Sequence, residues 1–235
     1  MSGFALDATA LSRERRVVFR GPEGRMEGMW RPPRAGVEPR GAAVIAHPHP
    51  AFGGTMHNKV VFHTARVLNH DLDVATLRFN FRGVGSSAGV YDEGRGERED
   101  LLAAWSEARA RVPGGPLLAA GFSFGAAITL LTAARDLSPE VRPAALAVLG
   151  LPFGMFPPPS PFPHPTPLAA VHGERDRFTA PDAVRGYLES WPGPHAFHVE
   201  PRADHFFEGC LPAATGFLSG SLGGWLFGGD AVNRG

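Results

Sequence analysis

The sequence predicts an α/β protein built on a doubly wound, mostly parallel sheet with helices on both faces. Short apolar runs such as Ala42–Ala46 and residues 117–121 are typical of strands that are buried on both faces of a parallel sheet. Segments with helical spacing separate these runs along the chain, as βαβ units require. The 235 residues, 43% of them hydrophobic, suffice for one large core, so we expect a single domain over residues 1–235.

The N-terminal part of the chain begins with a predicted hairpin. Two short apolar segments flank Gly-Pro-Glu-Gly at residues 21–24, which is a turn signal. A later helix presents Leu101, Leu102 and Trp105 on its expected inner face. In chain order, the predicted elements are strands over residues 16–20, 26–30 and 42–46, a helix over 59–70, a strand over 74–79 and a helix over 97–111.

The C-terminal part continues the alternation of strands and helices. Pro181 marks the first turn of one helix, where the missing N–H of proline has no partner to lose. In chain order, the predicted elements are a strand over residues 117–121, a helix over 124–134, strands over 144–149 and 168–172, a helix over 181–191, a strand over 196–200 and a closing helix after Asp204.

The sequence Gly-Phe-Ser-Phe-Gly at residues 121–125 matches the pattern G-x-S-x-G. It follows a buried strand and precedes a small-residue helix, which is the strand–turn–helix setting of a serine nucleophile. The glycines allow a tight turn that holds the hydroxyl of Ser123 at the carboxyl end of the strand. The alternative is a glycine-rich turn with an idle serine.

Candidate partners of Ser123 follow later strands in the order acid, then histidine. Asp176 comes after the strand over residues 168–172, and His205 comes after the next strand. Both therefore belong at the sheet edge of Ser123, with His205 as the base and Asp176 as the residue that orients it. Glu174 and Asp204 are rival acids. Asp176 is favoured because Glu174 lies in the tight turn and Asp204 adjoins the histidine.

Two backbone amides are expected to form an oxyanion hole. One is that of Phe124, which follows the nucleophile. The other belongs to the loop over residues 47–54, where prolines have no N–H and leave His49, Ala51 and Phe52 as candidates. We favour Ala51.

Seven segments together resemble a group of small, capless bacterial α/β-hydrolases related to dienelactone hydrolases and carboxylesterases. These segments are HPHPAFGGTM at residues 47–56, NKVV at 58–61, RFNFRGVGS at 78–86, residues 94–100, GFSFG at 121–125, residues 172–176 with HG and Asp176, and DHFF at 204–207. The resemblance spans about residues 40–210 and implies an α/β-hydrolase fold without a cap domain. It also implies the triad Ser123, Asp176 and His205. One departure is His57, where the family is expected to carry an acidic residue.

The segment over residues 152–167 carries eight prolines and three phenylalanines, so it is predicted to be an irregular loop near the active site. With no cap domain, we expect this loop to shape a pocket for a modest apolar substrate. The predicted pocket residues are Phe52, Phe122, Phe153, Met155, Phe156 and Phe162.

Two other kinds of site are suggested by local patterns. The histidines at positions 47, 49, 57 and 63 suggest a metal site, but no nearby carboxylate or cysteine completes a ligand set, so no metal and no cofactor are expected. The glycine-rich segment 83–89 lacks the Lys-Ser/Thr ending of a P-loop, so it is interpreted as an active-site border. Arg82 is interpreted as a structural ion-pairing residue.

Bulk properties narrow the function class further. The 23 basic and 23 acidic residues balance, which argues against nucleic-acid binding, and no apolar run is long enough to span a membrane. A single cysteine, Cys210, and no visible signal peptide favour a cytoplasmic location. We therefore expect a serine hydrolase that acts on small ester substrates. A peptidase, amidase or thioesterase with the same triad, and a non-catalytic binding protein, remain alternatives, and the oligomeric state is open.

Overall fold

One eight-stranded sheet organises the computed structural model, which describes residues 13–228. The strands are β1 (Arg15–Gly21), β2 (Gly24–Arg31), β3 (Ala42–Ala46), β4 (Ala75–Phe79), β5 (Leu117–Phe122), β6 (Ala145–Leu149), β7 (Leu168–Gly173) and β8 (His195–Glu200). The α-helices are α1 (Lys59–Leu72), α2 (Arg95–Arg111), α3 (Phe124–Ala133), α4 (Pro181–Glu189) and α5 (Leu211–Phe227). Each predicted element is present, with ends that differ by no more than about two residues, the usual uncertainty of element ends.

The strand order is β1-β2-β4-β3-β5-β6-β7-β8. The hairpin of β1 and β2 pairs antiparallel with β4, and the remaining pairs are parallel. The predicted doubly wound, mostly parallel sheet is therefore confirmed. The N-terminal hairpin forms its antiparallel edge.

Two apolar cores cover the two faces of the sheet. Side chains alternate along β3, so that Val44 faces the core formed with α2, α3 and α4, while Ile45 faces the core formed with α1 and α5. Trp105 of α2 is fully buried in the first core. Burial of an aliphatic side chain such as that of Val44 or Ile45 contributes about 1.5–3 kcal/mol. Both faces are therefore covered, which is why the central strands are apolar throughout.

The loop after β4 is held by charged groups beneath the sheet edge. Arg82 donates to both carboxylate oxygens of Asp100, with Nε–Oδ2 and Nη2–Oδ1 distances of 3.0 and 2.9 Å. The structural ion pair predicted for Arg82 is thus present. Glu27 of β2 is also buried, and it accepts hydrogen bonds from Asn80 and Ser86 of the same loop. Burial raises the pKa of Glu27, but these hydrogen bonds outweigh it and lower the pKa to about 2.

The carboxyl ends of the parallel strands lie along one edge of the sheet. Phe122 of β5 is in register with Leu149 of β6, which is in register with Val171 of β7. Gly173 of β7 is in register with Glu200 of β8. Segments that follow β5, β7 and β8 are therefore brought to the same edge.

No helix among residues 13–228 is long and apolar enough to cross a membrane.

Candidate active site

Ser123 occupies a sharp turn between β5 and α3. Its φ and ψ are 54° and −119°, a conformation that residues other than glycine rarely adopt and that stores about 1–3 kcal/mol. A Cβ atom at Gly121 would collide with the carbonyl of Gly125, and one at Gly125 would collide with the carbonyl of Ala46. The pattern of glycines around the serine is thus a steric requirement of the turn. The amide of Ser123 is fixed by the carbonyl of Leu149 at 2.9 Å.

A continuous row of hydrogen bonds joins Ser123, His205 and Asp176. His205 Nε2 lies 2.9 Å from Ser123 Oγ, and His205 Nδ1 lies 2.7 Å from Asp176 Oδ2. All three side chains are buried. The structure therefore brings together the three predicted triad residues, which follow three separate strands.

Asp176 is held as a carboxylate. Burial raises its pKa, but the hydrogen bond and charge of His205, together with the amide of Phe178 (2.8 Å from Oδ1), outweigh burial and lower the pKa below its usual value. The two rival acids serve other groups. Glu174 accepts from the amide of Arg202 at 2.7 Å, and Asp204 accepts from the amide of Phe206 at 2.9 Å.

Aromatic rings enclose the imidazole of His205. The ring centroids of Phe122, Phe178 and Phe206 lie 5.2, 4.6 and 5.3 Å from that of His205. On another side, a Cβ at Gly150 would come within 3.1 Å of His205 Cε1. Phe178, Phe206 and Gly150 were not predicted from the sequence. The first two lie within two residues of a triad residue along the chain, which is a signal that could have identified them.

A second buried histidine, His172, lies beside the acid. Its Nε2 is 2.7 Å from the carbonyl of Thr179 and 3.4 Å from Asp176 Oδ2. Burial lowers the pKa of His172 and keeps the ring neutral. A neutral ring with a proton on Nε2 donates to Thr179 and faces the carboxylate with its positive edge. From the sequence, His172 was assigned only to the motifs of the resemblance and not to this position.

The predicted oxyanion amides have different environments. The amide of Phe124 is at the first position of α3, where it needs no partner within the helix. The amide of Ala51, by contrast, donates to His49 Nδ1 at 3.2 Å, and that of Phe52 donates to the carbonyl of His49 at 3.1 Å. Among residues 13–228, the amide of His49 donates to no backbone or side-chain acceptor. The geometry thus argues against the preference for Ala51 and favours His49, because the short 3₁₀ turn Pro50–Phe52 uses the other two amides.

The histidines of the loop after β3 have structural partners. His47 is buried, its Nδ1 lies 2.6 Å from the carbonyl of Pro48, and its Nε2 accepts from the amide of Phe81 at 3.1 Å. Burial lowers the pKa of His47 to about 4. The ring of His49 contacts Phe124, and its Nε2 lies 3.0 Å from the hydroxyl of Tyr91. Within the described part of the chain, no group of three metal-ligating side chains comes together.

A cavity of about 320 Å³ opens onto Ser123 and His205. Its other lining residues are Pro48, His49, Phe52, Gly53, Gly54, Asn58, Met155, Phe178 and Phe206. Phe52, Met155, Phe178 and Phe206 are each about half exposed or more, so the cavity mouth is apolar and open. Of the six predicted pocket residues, Phe52 and Met155 line this cavity.

The other four predicted pocket residues do not line it. Phe122 packs against the ring of His205, and Phe156 packs against Phe124 with ring centroids 4.9 Å apart. The ring centroid of Phe153 lies 5.6 Å from that of Tyr187 in α4. Phe162 is buried and stacks on Trp191, with ring centroids 4.1 Å apart. The structure thus places none of these four in the cavity wall: Phe122 belongs to β5, Phe156 packs against α3, and only Phe153 and Phe162 are turned away by contacts with Tyr187 and Trp191. Of the aromatic side chains of the proline-rich segment, Phe162 is buried in the core, and Phe153 and Phe156 are partly buried against it.

Known proteins that are similar in sequence and structure show the family of this chain. A lidless α/β serine hydrolase of Xanthomonas campestris is 34% identical, and the match covers 92% of this chain and 96% of that one with a TM-score of 0.81. An α/β serine hydrolase homologue of Coxiella burnetii is 33% identical over 92% of this chain and 98% of that one, with a TM-score of 0.78. An uncharacterised protein of Rickettsia prowazekii is 32% identical over 81% of both chains. No protein-family model matches the chain.

The identities and coverages are high enough to show common descent over nearly the whole chain. The relatives share the fold described above, and one of them is described as lacking a lid, in line with the uncovered mouth of the cavity. The hydrolase fold and the resemblance drawn from the sequence motifs are confirmed. This chain belongs to the lidless α/β serine hydrolases.

Proposed function

We propose that this hydrolase is a carboxylesterase that cleaves small to medium apolar acyl esters through an acyl-enzyme on Ser123. The observation that carries the proposal is the buried row of hydrogen bonds from Ser123 through His205 to Asp176. A serine hydroxyl is a weak nucleophile unless an oriented base takes its proton. Here the base lies 2.9 Å from the hydroxyl and is oriented by a carboxylate on its other nitrogen.

In the proposed reaction, Ser123 Oγ attacks the ester carbonyl while its proton passes to His205 Nε2. The resulting oxyanion accepts hydrogen bonds from the amides of Phe124 and His49. The tetrahedral intermediate expels the alcohol, which takes the proton from His205, and leaves the acyl group on Ser123. Water then loses a proton to His205 and attacks the acyl-enzyme, and the bond to Ser123 breaks as Oγ takes the proton back from His205 and the acid is released. Asp176 stays ionised and stabilises the imidazolium at both steps.

The shape of the cavity supports the substrate class. Phe52, Met155, Phe178 and Phe206 offer apolar surface on several sides of the serine, and a cavity of about 320 Å³ accommodates a small to medium acyl chain. Because the mouth is uncovered, longer chains would extend into water, where their extra methylene groups gain little from burial.

The test is hydrolysis of p-nitrophenyl esters of increasing acyl length, with labelling by a fluorophosphonate probe. Wild-type protein should turn over the short and medium esters and label once per chain, whereas Ser123→Ala should lose both. Ser106→Ala, a substitution of an exposed helix serine, is the matched control and should behave as wild type. Full turnover by Ser123→Ala would contradict the proposal.

The same residues serve amide and thioester chemistry, so the panel should include an anilide and an acyl thioester. Preference for either over the matched ester, measured as kcat/KM, would replace the carboxylesterase assignment. A folded wild-type protein that fails to label would point to a non-catalytic binding protein instead.

A further inference from the structure

A second cavity, of about 310 Å³, is lined mainly by basic side chains. The charged residues on its walls are Arg13, Arg31, Arg34, Arg66 and Asp73, and His70 lies beside them. Of the residues that line this cavity, four thus carry a guanidinium group and one carries a carboxylate, and a second carboxylate, that of Glu14, lies 3.8 Å from Arg31. Such convergence of like charges is unfavourable unless an anion joins them.

This cavity lies at the amino ends of the parallel strands, opposite to the carboxyl ends where Ser123 lies. Arg31 is in register with Thr76, near the start of β4, whereas Ser123 follows the carboxyl end of β5. Because β4 and β5 both run parallel to β3 between them, the start of one and the end of the other lie at opposite edges. A ligand here would not touch the catalytic row.

The acidic groups nearby neutralise the cavity only in part. Both carboxylate oxygens of Glu14 accept hydrogen bonds from Arg78 Nη2 at 2.9 Å. The distance from Glu14 Oε1 to Arg31 Nη1 is longer, at 3.8 Å. Asp73 lies 3.8 Å from Arg34. Both pairs are longer than the 2.7–2.9 Å typical of charge-assisted hydrogen bonds. Arg66 forms no ion pair with any of residues 13–228.

Arg31 connects this charge cluster to the interior. It is buried, and its Nε donates to Asn69 at 3.0 Å, which fixes the guanidinium at the cavity wall. Burial, and after it the charges of Arg13, Arg66 and Arg78, lower the pKa of Arg31, although Glu14 raises it. A fixed guanidinium with cationic neighbours is pre-organised for an oxyanion, since its planar donors match carboxylate and phosphate oxygens.

We propose that this cavity binds a small multivalent oxyanion of the phosphate class. Several guanidinium groups around one cavity can donate to different oxygens of the same anion, and they lose their mutual repulsion when it binds. A phosphate group, either as the free ion or as a phosphomonoester, has the required charge and number of acceptor oxygens. The site is independent of the proposed esterase activity.

The test is a titration of wild-type protein with inorganic phosphate against sodium chloride of equal ionic strength, followed by thermal unfolding and by calorimetry. We expect saturable binding and a midpoint that rises by about 5–10 °C at a phosphate concentration about 100-fold above Kd. A parallel titration with glycerol 3-phosphate separates the two sources: tighter binding of the monoester indicates an organic phosphate, and equal binding indicates the free ion.

The variant Arg34→Gln/Arg66→Gln should lose the phosphate-dependent rise. Arg185→Gln, which alters an exposed arginine on α4, should keep it. If the double variant does not fold, Arg34→Gln alone tests the same contact, because that side chain is 51% exposed. Ser123→Ala should bind phosphate as wild type does, so failure of the esterase proposal would leave this result unchanged. Equal midpoints in phosphate and chloride, or an equal rise in the arginine variants, would overturn the proposal.

Discussion

At the scale of single residues, the site depends on how one carboxylate is held. Asp176 Oδ2 faces His205 and its Oδ1 faces the amide of Phe178, so the two oxygens have separate partners. This arrangement fixes the rotamer of the carboxylate and therefore the tautomer of His205, with the proton on Nδ1 and a free lone pair on Nε2. The proposed reaction requires that lone pair, because in it Nε2 accepts the proton of Ser123.

Asp176→Asn should therefore lower kcat for p-nitrophenyl acetate by about 10³–10⁴-fold with little loss of fold. The amide cannot stabilise an imidazolium and can hold the ring in the wrong tautomer. Glu174→Gln and Asp204→Asn are matched controls, since both acids accept backbone amides in turns, and each should stay within a few-fold of wild type. A comparable loss in Asp204→Asn would contradict the assignment of Asp176.

His172→Phe should destabilise the protein by about 1–3 kcal/mol, measured by urea unfolding. The substitution keeps the buried ring but removes the donor to the Thr179 carbonyl, which is left without its partner. Because Thr179 ends the turn that begins at Asp176, we also expect a lower kcat with a nearly unchanged KM. Wild-type stability and kcat in His172→Phe would show that the contact has no effect.

At the scale of elements, close approach of backbones explains why the turn after β5 needs glycine on both sides of the nucleophile. Gly125 at the start of α3 touches the backbone of β3 at Ala46, and Gly121 touches the backbone of Gly125. Neither contact can relax through side-chain rotation, because backbone atoms stand on both sides. The helix can approach the sheet this closely, and its first amides can reach the proposed oxyanion position, only in the absence of these Cβ atoms.

Gly125→Ala should thus destabilise the fold by about 1–3 kcal/mol and abolish fluorophosphonate labelling, because the added Cβ forces α3 and its first amides away from β3. Gly216→Ala is the matched control. Gly216 lies inside α5, and a Cβ added there would meet nothing within 4 Å, so alanine should raise the free energy of unfolding by about 0.5–1 kcal/mol. Normal labelling of Gly125→Ala would refute the steric argument.

The same elements show what the sequence could and could not predict. Periodicity and turn residues located the strands, and parallel strands share one edge, so the convergence of Ser123, Asp176 and His205 followed from chain order alone. The side of the loop that Phe153 or Phe162 faces depends on packing against α4, which no local pattern records. Likewise, the preference for the amide of His49 over that of Ala51 rests on hydrogen bonds inside one short turn, which the sequence does not reveal.

At the scale of the whole molecule, two buried groups, His47 and Glu27, each have one charge state in the folded protein at neutral pH. His47 is neutral in the fold, because burial lowers its pKa to about 4 from 6.5 and because its Nε2 accepts the amide of Phe81. Glu27 is ionised, with a pKa of about 2 instead of 4.5. Both shifts act in the same direction, since the unfolded chain binds protons at a higher pH than the folded one does.

These shifts predict how stability falls in acid. A histidine with a depressed pKa contributes stability that is fully present above pH 6.5 and is lost as the pH falls toward about 4. Over that window, the unfolded state holds one more proton at His47, so this residue should lower the free energy of unfolding by about 1.4 kcal/mol per pH unit, in addition to the contribution of His172. The contribution of Glu27 is present above pH 4.5 and is lost between about 4.5 and 2.

Urea unfolding at half-unit steps from pH 7.5 to 4.5 measures the first slope. His47→Gln should be less stable at pH 7 and should lose about 1.4 kcal/mol per pH unit of the wild-type slope, because glutamine can keep an acceptor near Phe81 without titrating. The slope that remains belongs to other histidines with a lowered pKa, such as His172. His195→Gln, on the exposed end of β8, is the matched control and should keep the wild-type slope. A wild-type curve that is flat between pH 6.5 and 5 would mean that His47 is not held neutral by its burial. The fold would then tolerate a charged ring between β3 and the loop after β4.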